Sequence, residues 1–181
     1  MSSPTDVLRD EHRVILNALR VLESAADRLD AGGPLPDGWW DRAVAWLRRF
    51  ADASHHAKEE RALFPAMVKA GIPAAGGPIG VMLAEHEHGR ALIRTMLEGE
   101  TGQRVAAARE YVRLLRQHID KENEVLFPMA EAVLDEQARR ALGREFEAVE
   151  VEQGPGASVV AAEAALAVLT AALENQAGAC T

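Results

Sequence analysis

Four glycine- and proline-rich interruptions decide what this chain can fold into: AGGPLPDG at 31–38, AGIPAAGGP at 70–78, GETG at 99–102 and GPGA at 154–157. The uninterrupted stretches between them are too long to be isolated surface helices unless they pack against one another. Ala, Leu, Arg and Glu dominate them, and strand-type alternation of Val, Ile and Thr is nearly absent, so helix is expected throughout. Helices are expected near 5–30, 38–69, 78–98 and 103–134, with a short fifth near 136–150 and an alanine-rich sixth near 157–177. Short loops between long helices predict an all-α fold, an antiparallel up-down-up-down four-helix bundle with additional C-terminal helices. The bundle domain is expected over 1–134, and 135–181 as a helical extension packed on it or trailing from it. The alanine-rich face of the extension buries little area per residue.

Composition narrows the chemistry. The 181 residues suffice for one domain with a core, and a net charge of −8 argues against a nucleic-acid partner, which needs a basic footprint. The single cysteine, Cys180, excludes a disulfide framework and a Cys-ligated metal or cluster within one chain. The start MSSPTDVLRDEHR lacks the features of a signal peptide, and no uninterrupted apolar run reaches about 18 residues. A cytoplasmic protein without a membrane span is therefore expected, with chemistry drawn from His, Asp and Glu.

Apolar residues three and four apart mark the inward face of each long helix. The stripes are Leu8, His12, Ile15, Leu19, Leu22, Ala26, Leu29; then Trp40, Val44, Leu47, Ala51, His55, Glu59, Ala62; then Ile79, Met82, His86, Gly89, Ile93, Met96; then Ala108, Tyr111, Leu115, His118, Glu122, Val125, Met129. Each contains one histidine, and two add a glutamate one turn later. A lone core histidine is usually just hydrogen-bonded. Four converging imidazoles beside two carboxylates with no Lys or Arg in the stripes point instead to bound cations, since buried carboxylates are costly otherwise.

An internal repeat supports that reading. HHAKEERALFPAM (55–67) and HIDKENEVLFPMA (118–130) align without a gap, each with His, Glu four residues on, then Leu-Phe-Pro. Positions four apart share a helix face, so His55/Glu59 and His118/Glu122 each chelate from one side. Asp-Glu-His at 10–12 and Ala-Glu-His at 84–86 repeat more weakly, so a pseudo-twofold site with two metals is expected. The repeat register and the helical phase favour His55/Glu59 over His56/Glu60. His88 points away from His86 and reads as solvated or as supporting a ligand.

Pro65 and Pro128 are expected to kink or end their helices. Phe64 and Phe127 beside them either just cap the core or wall a dry pocket. Tyr111, the only tyrosine, is either an ordinary buried phenol or a group that donates to a metal-bound ligand or is oxidised, and it is the candidate catalytic residue. Gly89 either permits close packing or leaves room for a small molecule. Trp39, Trp40 and Trp46 read as structural. Imidazole and carboxylate without thiolate suit iron, zinc, copper, nickel or manganese. Six ligands shared between two metals leave open positions, which describes a non-haem di-iron centre better than closed structural zinc. The Glu-x-x-His pairs of ferritin-like bundles are a different pattern.

At His12, His55-x-x-x-Glu59, His86 and His118-x-x-x-Glu122 the sequence resembles the hemerythrin-like family, in its His-His-Glu cation-binding branch, from about residue 6 to 130. The resemblance implies a bundle around two iron ions bridged by Glu59 and Glu122 and by an oxo or hydroxo group, with no haem. Oxygen-carrying hemerythrins have another His where this chain has Arg90 and an Asp where it has Asn123. One fewer imidazole implies a more open and more symmetric centre, and chemistry rather than reversible oxygen carriage. The expected function is binding of, and reaction with, oxygen, peroxide or nitric oxide, with peroxidase-like oxidoreductase activity and an unidentified redox partner. The alternative is an iron- or oxygen-responsive sensor, or a storage protein, without turnover.

Overall fold

The computed structural model describes residues 3–178, so Cys180 lies outside the described residues. Six helices account for the fold: α1 Pro4–Asp30, α2 over 39–69, α3 Pro78–Glu98, α4 over 101–133, α5 Glu136–Gln153 and α6 Val159–Gly178. No strand occurs among the described residues. The molecule is an all-α helical bundle built on α1–α4. Local chemistry sets the helix starts. Ser3 accepts from the Asp6 N–H while the Asp6 side chain accepts from the Ser3 N–H, a reciprocal cap. Asp135 accepts from the Ala138 N–H at the start of α5, and Pro4 and Pro78 open α1 and α3 where no N–H is needed.

Helices α2 and α4 are not α-helical throughout. Leu47–His56 and Glu59–Leu63 of α2, and Glu122–Leu126 of α4, take the wider π form. There the Phe64 and Phe127 N–H groups reach five residues back, to the carbonyls of Glu59 and Glu122. Pro65 and Pro128 come directly after. Neither helix ends at its proline, in keeping with the expected spans: α2 continues to Lys69 and α4 to Val133. The π turn has already shifted the ladder, and the proline has no N–H to restore it. The extra residue also rotates the remainder of each helix. Val125, expected inward, is 49% exposed, and Leu126 takes the core position at 1%.

The apolar core lies in two separate clusters. One gathers Ile15, Leu19, Trp39, Leu47, Phe50, Ile93, Met96 and Leu115 with the inner face of α6. The other gathers Leu8, Leu63, Phe64, Met67, Ile79, Leu126 and Phe127 with Leu142 and Phe146 of α5. Buried histidines and glutamates from all four bundle helices occupy the layer between.

The C-terminal helices pack on the bundle. By length and composition α6 is apolar enough to cross a membrane over Val159–Gln176. Here Ala162, Leu166, Leu169 and Leu173 form a buried stripe against α1 and α2. Each leucine contributes roughly 1.5–3 kcal/mol on full burial, which offsets the small area of the alanines. The Trp39 and Trp46 indoles donate to the Leu169 and Ala162 carbonyls (2.8 and 3.0 Å), and Trp40 donates to Met96 of α3 (2.8 Å).

Candidate metal centre

The structure brings His12, His55, Glu59, His86, His118 and Glu122 together in the layer between the two apolar clusters, each at most 1% exposed. It adds a residue that α-helical phase had set aside. His56 is also buried, and its ring stacks on His86 at 3.9 Å between centroids. The π stretch Leu47–His56 explains why two successive residues face inward, because its wider turn spreads neighbours over a smaller angle. Ligand atoms fall into two groups within 4.8 Å of one another: His12, His55, Glu59 and Glu122, and His56, Glu59, His86 and His118. The expectation of four imidazoles in a symmetric centre gives way to five, divided two and three.

The two carboxylates each reach both groups. Glu122 places Oε2 3.0 Å from His12 Nε2 and Oε1 3.1 Å from His118 Nε2. Glu59 places Oε1 3.7 Å from His55 Nε2 and Oε2 3.4 Å from His86 Nε2. None of these four oxygens makes a hydrogen bond, and neither nitrogen of His56 does. Within each group two Nε2 atoms face each other at 3.1 Å, His12 with His55 and His86 with His118. Convergent lone pairs beside unpaired carboxylates cost several kcal/mol per buried charge unless a cation satisfies them. The donor set fits two hard-to-borderline divalent cations.

A second layer fixes which nitrogen faces inward. The Nδ1–H of His55 donates to Glu11 (2.8 Å), that of His118 to Glu85 (2.9 Å), that of His86 to Glu60 (2.7 Å) and that of His12 to Asn123 (3.0 Å). A carboxylate only accepts, and so does the amide oxygen of Asn123, so the Nδ1 of these rings carries the proton and Nε2 is left as a ligand. Lys58 and Lys121 then pair with Glu11 and Glu85. Sequence reasoning did not single out this layer, although its signal lay in the repeat: His-x-x-Lys-Glu from one helix, Glu-His from its partner.

Burial dominates the electrostatics. It pushes the Glu59 carboxyl well up, reinforced by the Glu122 charge, and lowers His55 and His56 well below the ordinary imidazole value. Burial also opposes protonation of His118, but the Glu122 charge and the Glu85 hydrogen bond outweigh it and lift its pKa to about 9. Two carboxylates in one dry layer cannot both stay charged at low cost without a cation between them.

Phe127 stacks on His12 (5.3 Å, 12°) and Phe64 on His86 (6.0 Å, 19°), so the Leu-Phe-Pro rings wall the centre on one side. Tyr111 is buried with its hydroxyl unpartnered, and burial first, then the Asp52 charge, raises its pKa. A Cβ at Gly89 would lie 3.4 Å from Tyr111 Cε2, an ordinary van der Waals contact, so the Tyr111 ring packs beside Gly89 without requiring a glycine there. His88, half exposed, pairs with Glu110 at 3.0 Å on the surface. Arg90 binds Asp52 and Glu60 (2.8 and 2.7 Å), so it supports the His86 partner from outside.

The chain matches the model of the hemerythrin HHE cation binding domain over residues 3–130. An uncharacterized protein of Mycobacterium tuberculosis is 26% identical over 160 residues, covering 81% of this chain and 60% of its own length. Proteins called iron-sulfur cluster repair protein YtfE, from Musicola paradisiaca and Salmonella newport, are 33% and 34% identical over 139 and 135 residues, covering 67% of this chain and 60% of their own lengths. The chain thus spans about 60% of the length of the curated relatives it matches. No solved structure matches it significantly. With 128 consecutive residues under one family model and that family's histidines and glutamates converging in one layer, the chain belongs to the hemerythrin HHE cation-binding domain family.

Proposed function

We propose that the chain is a non-haem di-iron protein that binds oxygen, peroxide or nitric oxide and reacts with it. The observation that carries this reading is the placement of Glu59 and Glu122, each with one oxygen in either group of imidazoles. One ion would be held by His12 and His55 and the other by His56, His86 and His118, with both carboxylates shared. Two iron ions there would supply Lewis acidity and two one-electron equivalents, the number that reduction of hydrogen peroxide with two protons to two waters consumes. The chain's own residues hold lone pairs inward through Glu11, Glu60, Glu85 and Asn123, and Phe64, Phe127 and the flanking apolar clusters exclude water. Tyr111 is the proposed hydrogen-bond or electron donor, since its phenol is buried without a partner. An external electron donor completes the cycle.

Metal analysis followed by anaerobic titration with oxygen, peroxide and nitric oxide tests the reading. Two iron ions per chain and optical changes with peroxide are expected. One ion, or a redox-silent zinc protein, sinks it. Tyr111→Phe is expected to keep both ions and slow peroxide turnover; unchanged turnover removes Tyr111 from the chemistry. The relatives' name favours a second reading, service in iron–sulfur cluster repair. Restoration of a damaged cluster protein by the iron-loaded chain, without peroxide turnover, would support that instead.

A further inference from the structure

The helical extension beyond the family match reaches the centre from one side only. Glu150 of α5 accepts from Lys58 Nζ at 2.6 Å, and Lys58 also pairs with Glu11. Glu11 in turn divides its oxygens: Oε1 takes Lys58, and Oε2 takes the Nδ1–H of His55 at 2.8 Å. Lys58 and Glu11 are fully buried, and only Glu150 touches solvent, at 37% exposure. Further contacts fasten the same part of α2 to the extension. Ser54 donates to the Ala157 carbonyl (3.3 Å), Arg61 pairs with Glu152 (2.7 Å), and Lys58 lies 6.0 Å over the Phe146 ring. On the other side Lys121 pairs with Glu85 alone among the described residues, at 42% exposure.

We propose that Glu150 is a positioning residue for the metal pocket of His12 and His55, acting through Lys58 and Glu11 on the His55 ring. The extension thereby makes the two pockets unequal in how firmly they hold a cation. A buried lysine has three donors and needs acceptors for them; with only Glu11 available it draws that carboxylate toward itself. Glu150 takes part of that demand, which leaves Glu11 Oε2 aimed at His55 Nδ1. Loss of a carboxylate that itself holds a ligand imidazole typically weakens metal binding about 10- to 100-fold, and Glu150, two contacts further out, acts at the low end of that range. The inference rests on the two-ion reading above, and its test separates the two.

The test compares Glu150→Gln, Glu150→Asp and Lys121→Met with wild type in the full chain. Chelator-driven release of iron is followed by metal content. Independently, the imidazole Nδ1–H resonances of His55 and His118 are followed by NMR in metal-free and zinc-loaded protein. Glu150→Gln is expected to release one ion about 10-fold faster while the second is unchanged, and to shift or broaden the His55 signal but not that of His118. Glu150→Asp is expected to restore both, and Lys121→Met to leave the fast ion unaffected. A His55 resonance unmoved by Glu150→Gln overturns the inference, as does equal acceleration of both ions, the mark of general destabilisation. Wild type holding a single ion would break the two-ion reading, and the His55 resonance would still decide the role of Glu150.

Discussion

The two groups of converging ligands are written in nearly the same string and finished differently. His55, Lys58, Glu59 and Glu60 in α2 correspond to His118, Lys121, Glu122 and Asn123 in α4, and Glu11-His12 in α1 to Glu85-His86 in α3. In each half the glutamate before the histidine takes the lysine and the imidazole of the next helix. The residue after the shared glutamate takes the remaining imidazole. Three positions break the likeness. His56 stands opposite Ile119 in the alignment, Asp52 opposite Leu115, and Lys58 is buried against Glu150 where Lys121 meets solvent. The shared positions make lone pairs converge, and the unshared ones tell the pockets apart.

The largest effect should come from the residues that belong to both pockets. Glu59→Ala or Glu122→Ala is expected to leave less than one ion per chain, whereas His12→Ala should empty one pocket and keep the other. Metal content by elemental analysis distinguishes these outcomes, and equal losses from all three would dissolve the idea of two pockets.

The lysines come next. Lys58→Met strands Glu11 in the interior and should cost about 3–5 kcal/mol of stability, as breaking a buried ion pair does. Lys121→Met, with its pair partly exposed, should cost at most about 1 kcal/mol. Denaturant unfolding of the metal-free chain measures both, and similar values would show that the burial difference carries no energetic weight.

A subtler change equalises the pockets. His56→Ala leaves two imidazoles in each, so the protein should retain two ions whose Mössbauer signals become more alike than in wild type. Loss of an ion instead would make His56 indispensable rather than distinguishing.

The smallest effect is an acid-range one. Burial raises the Asp52 pKa, but His56 and Arg90 more than offset it and bring it to about 2, below its ordinary 3.8. A depressed folded-state pKa stabilises the protein fully above 3.8, and that contribution fades as pH falls through about 2. Asp52→Asn should therefore flatten the loss of Tm across that window and leave the neutral-pH profile's shape unchanged. An unaltered acid limb would remove Asp52 from the account.

Much of this was legible because it is periodic. Gly/Pro breaks set the helix ends to within two or three residues, and the three-four stripes with the 55–67/118–130 repeat led to six of the seven side chains in the layer. His56 and Val125 were misplaced for one reason: the π turns change the angle per residue, and apolar spacing alone cannot reveal a turn of different width. Glu11 and Lys58 were invisible as buried groups, and Glu85 as a partly buried one, because charged residues usually face water. Their partners come from other helices, and only the assembled bundle brings them within reach. Glu150 lies 92 residues from Lys58 and belongs to no repeat, so nothing local announced it.

The ionisable layer that parts the two apolar clusters also sets how the molecule can come apart. Apolar attraction is not transmitted across a sheet of imidazoles and carboxylates, so each end of the bundle coheres on its own leucines. Cations held there would turn that plane of mutual repulsion into the one that ties four helices together at once, and without them the waist would be the weakest section of the bundle.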